Sequence, residues 1–269
     1  MKKIGIITFH ASHNNGSMLQ TLALQSILEK KYKCQVEIIN FSNSGQRNMY
    51  AVLPKADNYK RVIKNIIWIT KYNELKKQYN SYNDFLKKYF HLSEREYTFS
   101  EELKELDNNY DAVIAGSDQV WNIACRDADD AYYLNFLNNT PKYAYAVSFG
   151  ANNPFELDGD KRIHSDYIKA FKKISVREKN AQKWIEEAMG NRVPICLDPT
   201  MLLDKEQWEN IVSNDNIKLI IGLGAYKLGK ADTWAGITGE NEWLENPDII
   251  KQQIELIENS TADGYALYY

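Results

Sequence analysis

Seven consecutive residues, Gly116-Ser117-Asp118-Gln119-Val120-Trp121-Asn122, offer a carboxylate, a hydroxyl, two amides and an indole on one turn. That density suits a polyhydroxylated ligand: amides and carboxylates pair with hydroxyls, and an indole stacks on a sugar face. A capped turn with a packed Trp is the other reading. Asn14-Asn15-Gly16-Ser17 precedes an apolar helical stripe. Unpaired N–H groups at such a helix start favour an anion. Gly16 allows close backbone approach and Ser17 can cap; an ordinary Asn/Gly turn with an N-cap explains the same residues. Ser148-Phe149-Gly150, with Asn152 and Asn153 behind it, is a weaker candidate. Arg177-Glu178 is more informative, because only seven of the 33 basic residues are Arg. A guanidinium fork grips phosphate or carboxylate at two points, although Arg177 and Glu178 could simply pair with each other. Asp198-Pro199-Thr200 reads as a turn and cap. His10 and His13 lie three apart without Cys or carboxylate company, so no metal is expected. No G-x-S-x-G elbow supports a Ser nucleophile.

These turns need elements to hold them. Lys3–Phe9 is a short β-branched run, as a buried parallel strand should be. A helix over Ser17–Tyr32 and a strand over Val36–Phe41 complete a β-α-β unit. About 45–107 is an insertion of two or three helices, notably Tyr59–Tyr72 and Tyr79–Phe90, whose Lys and Tyr read as a solvated face. Further strands are expected at Asp111–Ala115, Tyr143–Ser148, Lys173–Val176 and Val193–Leu197. Helices are expected at Arg162–Phe171, Asn180–Met189 and Asp204–Val212, with Asp204 as N-cap. This alternation predicts an α/β fold, a doubly wound Rossmann-like parallel sheet. Its ligands belong outside the carboxyl ends of the strands, where all the candidate turns fall. Beyond the polar break at 213–216 come a strand at Ile217–Ala225, a Gly- and Trp-rich loop over 226–246, a helix at Pro247–Glu258 and a strand at Gly264–Tyr269, a short extra β-α-β tail.

The 269 residues suffice for one large domain or two smaller ones. A net charge of −3 argues against a nucleic-acid binder. Cys34, Cys125 and Cys196 are an odd, scattered set that suits a reducing compartment. The apolar run Ile4–Phe9 is too short for a signal peptide, and Ile66–Ile69 too short to cross a bilayer. A soluble cytoplasmic protein is expected.

The runs KIGIITFHASHNNGSMLQTLALQSIL, YDAVIAGSDQVWN, YAVSFG, ISVREK and LDPTMLLDKEQW together resemble the polysaccharide pyruvyl transferase family over about residues 1–212. The resemblance implies one half of a glycosyltransferase-B-like fold, two Rossmann-like domains around a cleft. It implies transfer of pyruvate from phosphoenolpyruvate, as donor substrate with no cofactor, to a hydroxyl of a cell-surface glycan. Arg177 carries over as a donor clamp and catalytic residue. Asn15, Gly16, Ser17 and Gln20, with Gly116, Ser117, Asp118, Trp121 and Asn122, would line the acceptor side, joined by Ser148 and Glu178.

Two departures bear on activity. Asn15 stands where the family's first loop has an aromatic, and residues 213–269 contain neither the His nor the Arg that complete the family's donor site. That tail instead resembles the last β-α-β of a glycoside-hydrolase-like TIM barrel. The expectation is therefore an acceptor domain at 1–212 and a tail at 213–269, with a fused fragment as one reading of that tail, and the chain incomplete and inactive alone on phosphoenolpyruvate. A homo-oligomer or separate second domain would complete it. The alternatives are a non-catalytic glycan-binding half or fusion product and, on the tail alone, a glycoside hydrolase.

Overall fold

A computed structural model describes residues 1–157, 163–212, 220–224 and 264–268. β1 (Lys3–Ile7) reads KIGII, and its last four residues are buried, as expected of a strand covered on both faces. It runs parallel to β2 (Gln35–Ile38) on one side and to β3 (Ala112–Ala115) on the other. β4 (Lys142–Val147) and β5 (Lys173–Val176) extend the sheet, giving the order β2-β1-β3-β4-β5, all parallel. The strand order reverses between β1 and β3. In an open α/β sheet the ligand crevice lies at that reversal, outside the carboxyl ends of the strands.

The connection from β1 to β2 is α1 (Asn15–Lys30). Between β2 and β3 come α2 (Ser44–Met49), α3 (Tyr59–Ile69) and α4 (Tyr72–Tyr89). This insertion is helical as expected, but α3 departs from the expected solvated face of Lys and Tyr: its isoleucines face out beside Lys60 and Lys64. The core gathers Trp121, Tyr132, Tyr133, Phe149, Phe41 and Leu103 around the β3 and β4 ends. Farther along are α5 (Pro154–Leu157), α6 (Ile163–Lys169) and α7 (Lys179–Met189). The expected strand at Val193–Leu197 is only a single parallel bridge, Val176 to Ile195. With Pro194 lacking an N–H, the run has little ladder to offer.

The chain divides into two compact units, Met1–Leu202 and Leu203–Tyr269. In the second, α8 (Lys205–Val212) is capped by Asp204, whose carboxylate accepts from Gln207 N at 2.8 Å. β6 (Ile220–Gly224) and β7 (Gly264–Tyr268) pair in parallel. The expected loop over 226–246 and helix over Pro247–Glu258 lie outside the described residues. No described helix is long and apolar enough to cross a membrane.

Candidate functional site

The turns after β1 and β3 meet at the strand-order reversal. Gly116 follows β3 with φ +103°, and a Cβ there would come within 2.5 Å of Tyr145 O, so only glycine fits. Gly116 N donates to Ile7 O at 3.0 Å, pinning the end of β3 to the end of β1. Ser117 is fully buried; its Oγ donates to Ala146 O at 2.8 Å, and its carbonyl accepts from Thr8 Oγ1 at 2.9 Å. It therefore staples three strand ends and does not face a ligand. The chain then turns at Asp118, held at φ +82°. Asp118 Oδ1 accepts from Gln119 N at 2.7 Å, and Oδ2 from Ser17 Oγ at 2.5 Å across the reversal.

α1 begins two residues earlier than expected, and Asn14, not Ser17, is its cap. Asn14 Oδ1 accepts from Gly16 N at 2.8 Å and from Ser17 N at 3.3 Å. The expected anion site is thus occupied by the chain's own side chain, and Gly16 has an ordinary helical role. Its cap duty lifted, Ser17 is free to hold Asp118. Gln20 lies one turn on and is buried. Its Nε2 donates to Thr8 Oγ1 at 3.0 Å and to Ser17 O at 2.9 Å, while its Oε1 has no partner among the described residues.

A cleft of about 230 Å3 opens here, lined by Asn14, Gly16, Ser17, Gln20, Asp118, Arg177, Asp198 and Thr200. Five expected residues thus converge: Gly16, Ser17, Gln20, Asp118 and Arg177. Arg177 lies just past β5, and its guanidinium is already engaged. Nη1 reaches Asp198 Oδ2 at 2.9 Å, and Nε reaches Glu178 Oε1 at 3.1 Å. Burial opposes its charge, but Glu178, Asp118 and Asp198 outweigh that and hold its pKa above the ordinary value. Glu178 positions Arg177 without lining the cleft. Asp198 does form the expected turn, with Thr200 N and Oγ1 donating to Oδ1, and the same turn presents Asp198 and Thr200 to the cleft. Reading the turn as only a turn missed both; the signal was a carboxylate directly after a strand end.

The other expected residues go elsewhere. Trp121 is fully buried, stacked on Tyr133 at 5.1 Å, with Nε1 donating to Tyr132 O at 2.9 Å. Its stacked face is taken, which corrects the sugar-stacking expectation and favours the packed-Trp reading. Asn122 bonds Gln119 Oε1 and, with Trp121, borders a separate cavity of about 370 Å3 that also contains Asp129, Asp130 and His164. Ser148 is buried and its Oγ accepts from Gly150 N at 3.0 Å. Asn15 is exposed and does not line the cleft. Neither nearby His reaches it. His10 is fully buried, with Nδ1 at 3.3 Å from Thr8 O and Nε2 at 3.2 Å from Asn40 Oδ1, and burial lowers its pKa. His13 stacks on Tyr82 at 4.9 Å and its pKa is likewise lowered by burial. Among the described residues no His, Cys, Asp and Glu group could hold a metal ion.

The cleft therefore presents two carboxylates, Asp118 and Asp198, against one guanidinium that the neighbouring acids largely neutralise. Such a surface takes hydrogen-bond donors, above all vicinal hydroxyls.

A comparison with protein-family models matches residues 14–263 to polysaccharide pyruvyl transferase. No curated protein matches the chain. The family match runs past residue 212 through the tail, and nothing found supports the TIM-barrel likeness of that segment.

Proposed function

This chain belongs to the polysaccharide pyruvyl transferase family, and we propose that its cleft between β1 and β3 holds the sugar acceptor in pyruvyl transfer from phosphoenolpyruvate to a glycan. One observation carries the reading: Ser17 and Asp118, from the two sides of the strand-order reversal, meet at 2.5 Å on a cleft that Arg177 and Asp198 also line. In the reaction a proton adds to the enol carbon and makes C2 electrophilic. A sugar hydroxyl adds to C2 and gives up its proton. Phosphate leaves, and a second hydroxyl closes the ketal with loss of another proton. Asp118 is the group placed to receive the hydroxyl proton, with Ser17 orienting its carboxylate. Asp198 and Glu178 aim Arg177 toward the donor's anionic groups.

The five-stranded sheet is, in this reading, one half of a glycosyltransferase-B-like pair. Three free thiols, Cys34, Cys125 and Cys196, suit the cytoplasm, where phosphoenolpyruvate and glycan precursors would be met. A trianionic donor needs more positive charge than a neutralised Arg177 supplies. Lys227 and Lys230, which the sequence offers in addition, lie outside the described residues. The same charge balance favours a second reading, a glycan-binding protein without turnover.

One experiment separates the two. The purified chain is incubated with phosphoenolpyruvate and acetamido-sugar acceptors, and phosphate and acceptor mass are followed. Acceptor-dependent phosphate release with a ketal-bearing product, lost in Arg177→Ala, establishes the transferase. Sugar binding without release establishes the second reading, and absence of both refutes the assignment of the cleft.

A further inference from the structure

Helix α3 turns its apolar side away from the protein. Val62, Ile63, Ile66, Ile67 and Ile69 are each 45% to 60% exposed, and no residue of the helix is buried. At 3.6 residues per turn these five and Tyr59 share one face about 160° wide. The half-buried residues are Arg61, Asn65 and Trp68, on the opposite side. Asn65 Nδ2 donates to Pro54 O at 2.7 Å, and Trp68 lines a cavity with His13, Tyr50 and Tyr79. A surface helix ordinarily does the reverse and keeps its apolar stripe inward. A continuous exposed stripe of isoleucines marks a binding surface.

Charge identifies the partner. α3 carries Lys60, Arg61 and Lys64 and no acidic residue, and the stretch from Lys55 to Lys77 holds seven basic residues against two acidic. Lys60 borders the apolar face, where a long stem lies along apolar surface and extends its ammonium group outward, and the exposed Lys64 beside it holds its ammonium over the Trp68 ring at 4.7 Å. Tyr59, 70% exposed, continues the same face at the start of the helix. A second copy of the chain would set this basic stretch against itself. An anionic bilayer surface supplies both an apolar layer for the isoleucines and negative headgroups for the lysines.

We propose that α3 docks this protein onto an anionic membrane surface, lying in the plane of the headgroups with Ile63, Ile66 and Ile67 inserted. Trp68 then links the docked helix to the cavity that His13 lines at the end of the β1–α1 turn, next to Asn14 of the cleft, so the cleft is held close to the lipid surface.

The full chain is floated with vesicles of phosphatidylcholine alone and with vesicles containing equal phosphatidylglycerol. Binding to the anionic vesicles alone is expected, weakening as salt rises. Replacing Ile63, Ile66 and Ile67 together by Gln should cut it by about tenfold or more with the melting temperature retained, since all three are exposed. Lys60→Gln with Lys64→Gln should reduce the preference for anionic vesicles. The proposal fails if the wild type ignores anionic vesicles, or if the triple Gln variant binds them equally. It also fails if sedimentation shows a dimer that the triple variant abolishes, which would assign the face to a second copy.

Discussion

Replacing Asp118 by Asn separates a ligand-binding carboxylate from a structural one. Asn tolerates the left-handed backbone at φ +82° and keeps one acceptor oxygen. It can hold either Ser17 Oγ or Gln119 N, but not both as acceptors, where Asp118 now holds them at 2.5 and 2.7 Å. The loss of one such bond, at a partly exposed site, costs about 1 kcal/mol of stability. That is a fall of about 2–4 °C in melting temperature. A sugar hydroxyl bonded to the carboxylate loses a charged acceptor, worth about 1.5–3 kcal/mol. Affinity for an acetamido-sugar acceptor should then fall about 10- to 150-fold, with the lower end expected because the cleft is open to water. Calorimetric titration of both proteins, beside their melting curves, measures the two effects separately. Unchanged affinity in a folded variant would show that Asp118 only straps α1 to β3. A collapse of melting temperature together with affinity would make the carboxylate a structural element, and the argument from the cleft would be wrong.

Trp121→Ala should cost about 3–5 kcal/mol through the cavity left in the core, whereas Trp121→Phe should keep sugar affinity; affinity lost in a stable Phe variant would restore the stacking role. Gly116→Ala should destabilise by about 2 kcal/mol or more, from its positive φ and the clash with Tyr145 O, read as a shifted urea midpoint. His10 has its pKa lowered from 6.5 by burial, so the unfolded chain takes up the proton first. Stability should therefore fall as pH drops below about 6.5, with His13 adding to the trend. Urea midpoints across that range should vary less in His10→Gln; an unaltered pH dependence would refute this contribution.

The sheet was legible because each strand is a short apolar run ending in a polar turn, and because a parallel sheet gathers those ends on one side. That alone brought Ser17, Asp118 and Arg177 to one cleft. What stayed hidden depends on contacts between distant residues. Trp121 follows Asp118 by three positions, and only the fold shows that its ring turns back onto Tyr133. Asn14 and Ser17 are both good caps, and the choice between them was settled by Asp118, 101 residues away from Ser17. The Arg177–Glu178 pair was readable as one alternative, but the second partner, Asp198, was not, because it lies 21 residues later. The insertion's amphipathic period was readable, but which face α3 turns outward was not, because period alone fixes no direction.

If the glycan acceptor occupies the β1–β3 cleft, backbone amide NMR during titration with an acetamido-sugar acceptor should show saturable shifts at Ser17, Gln20, Asp118, Arg177 and Thr200, absent in Asp118→Asn. Shifts confined to Asn122, Asp129, Asp130 and His164, around the second cavity, would contradict it.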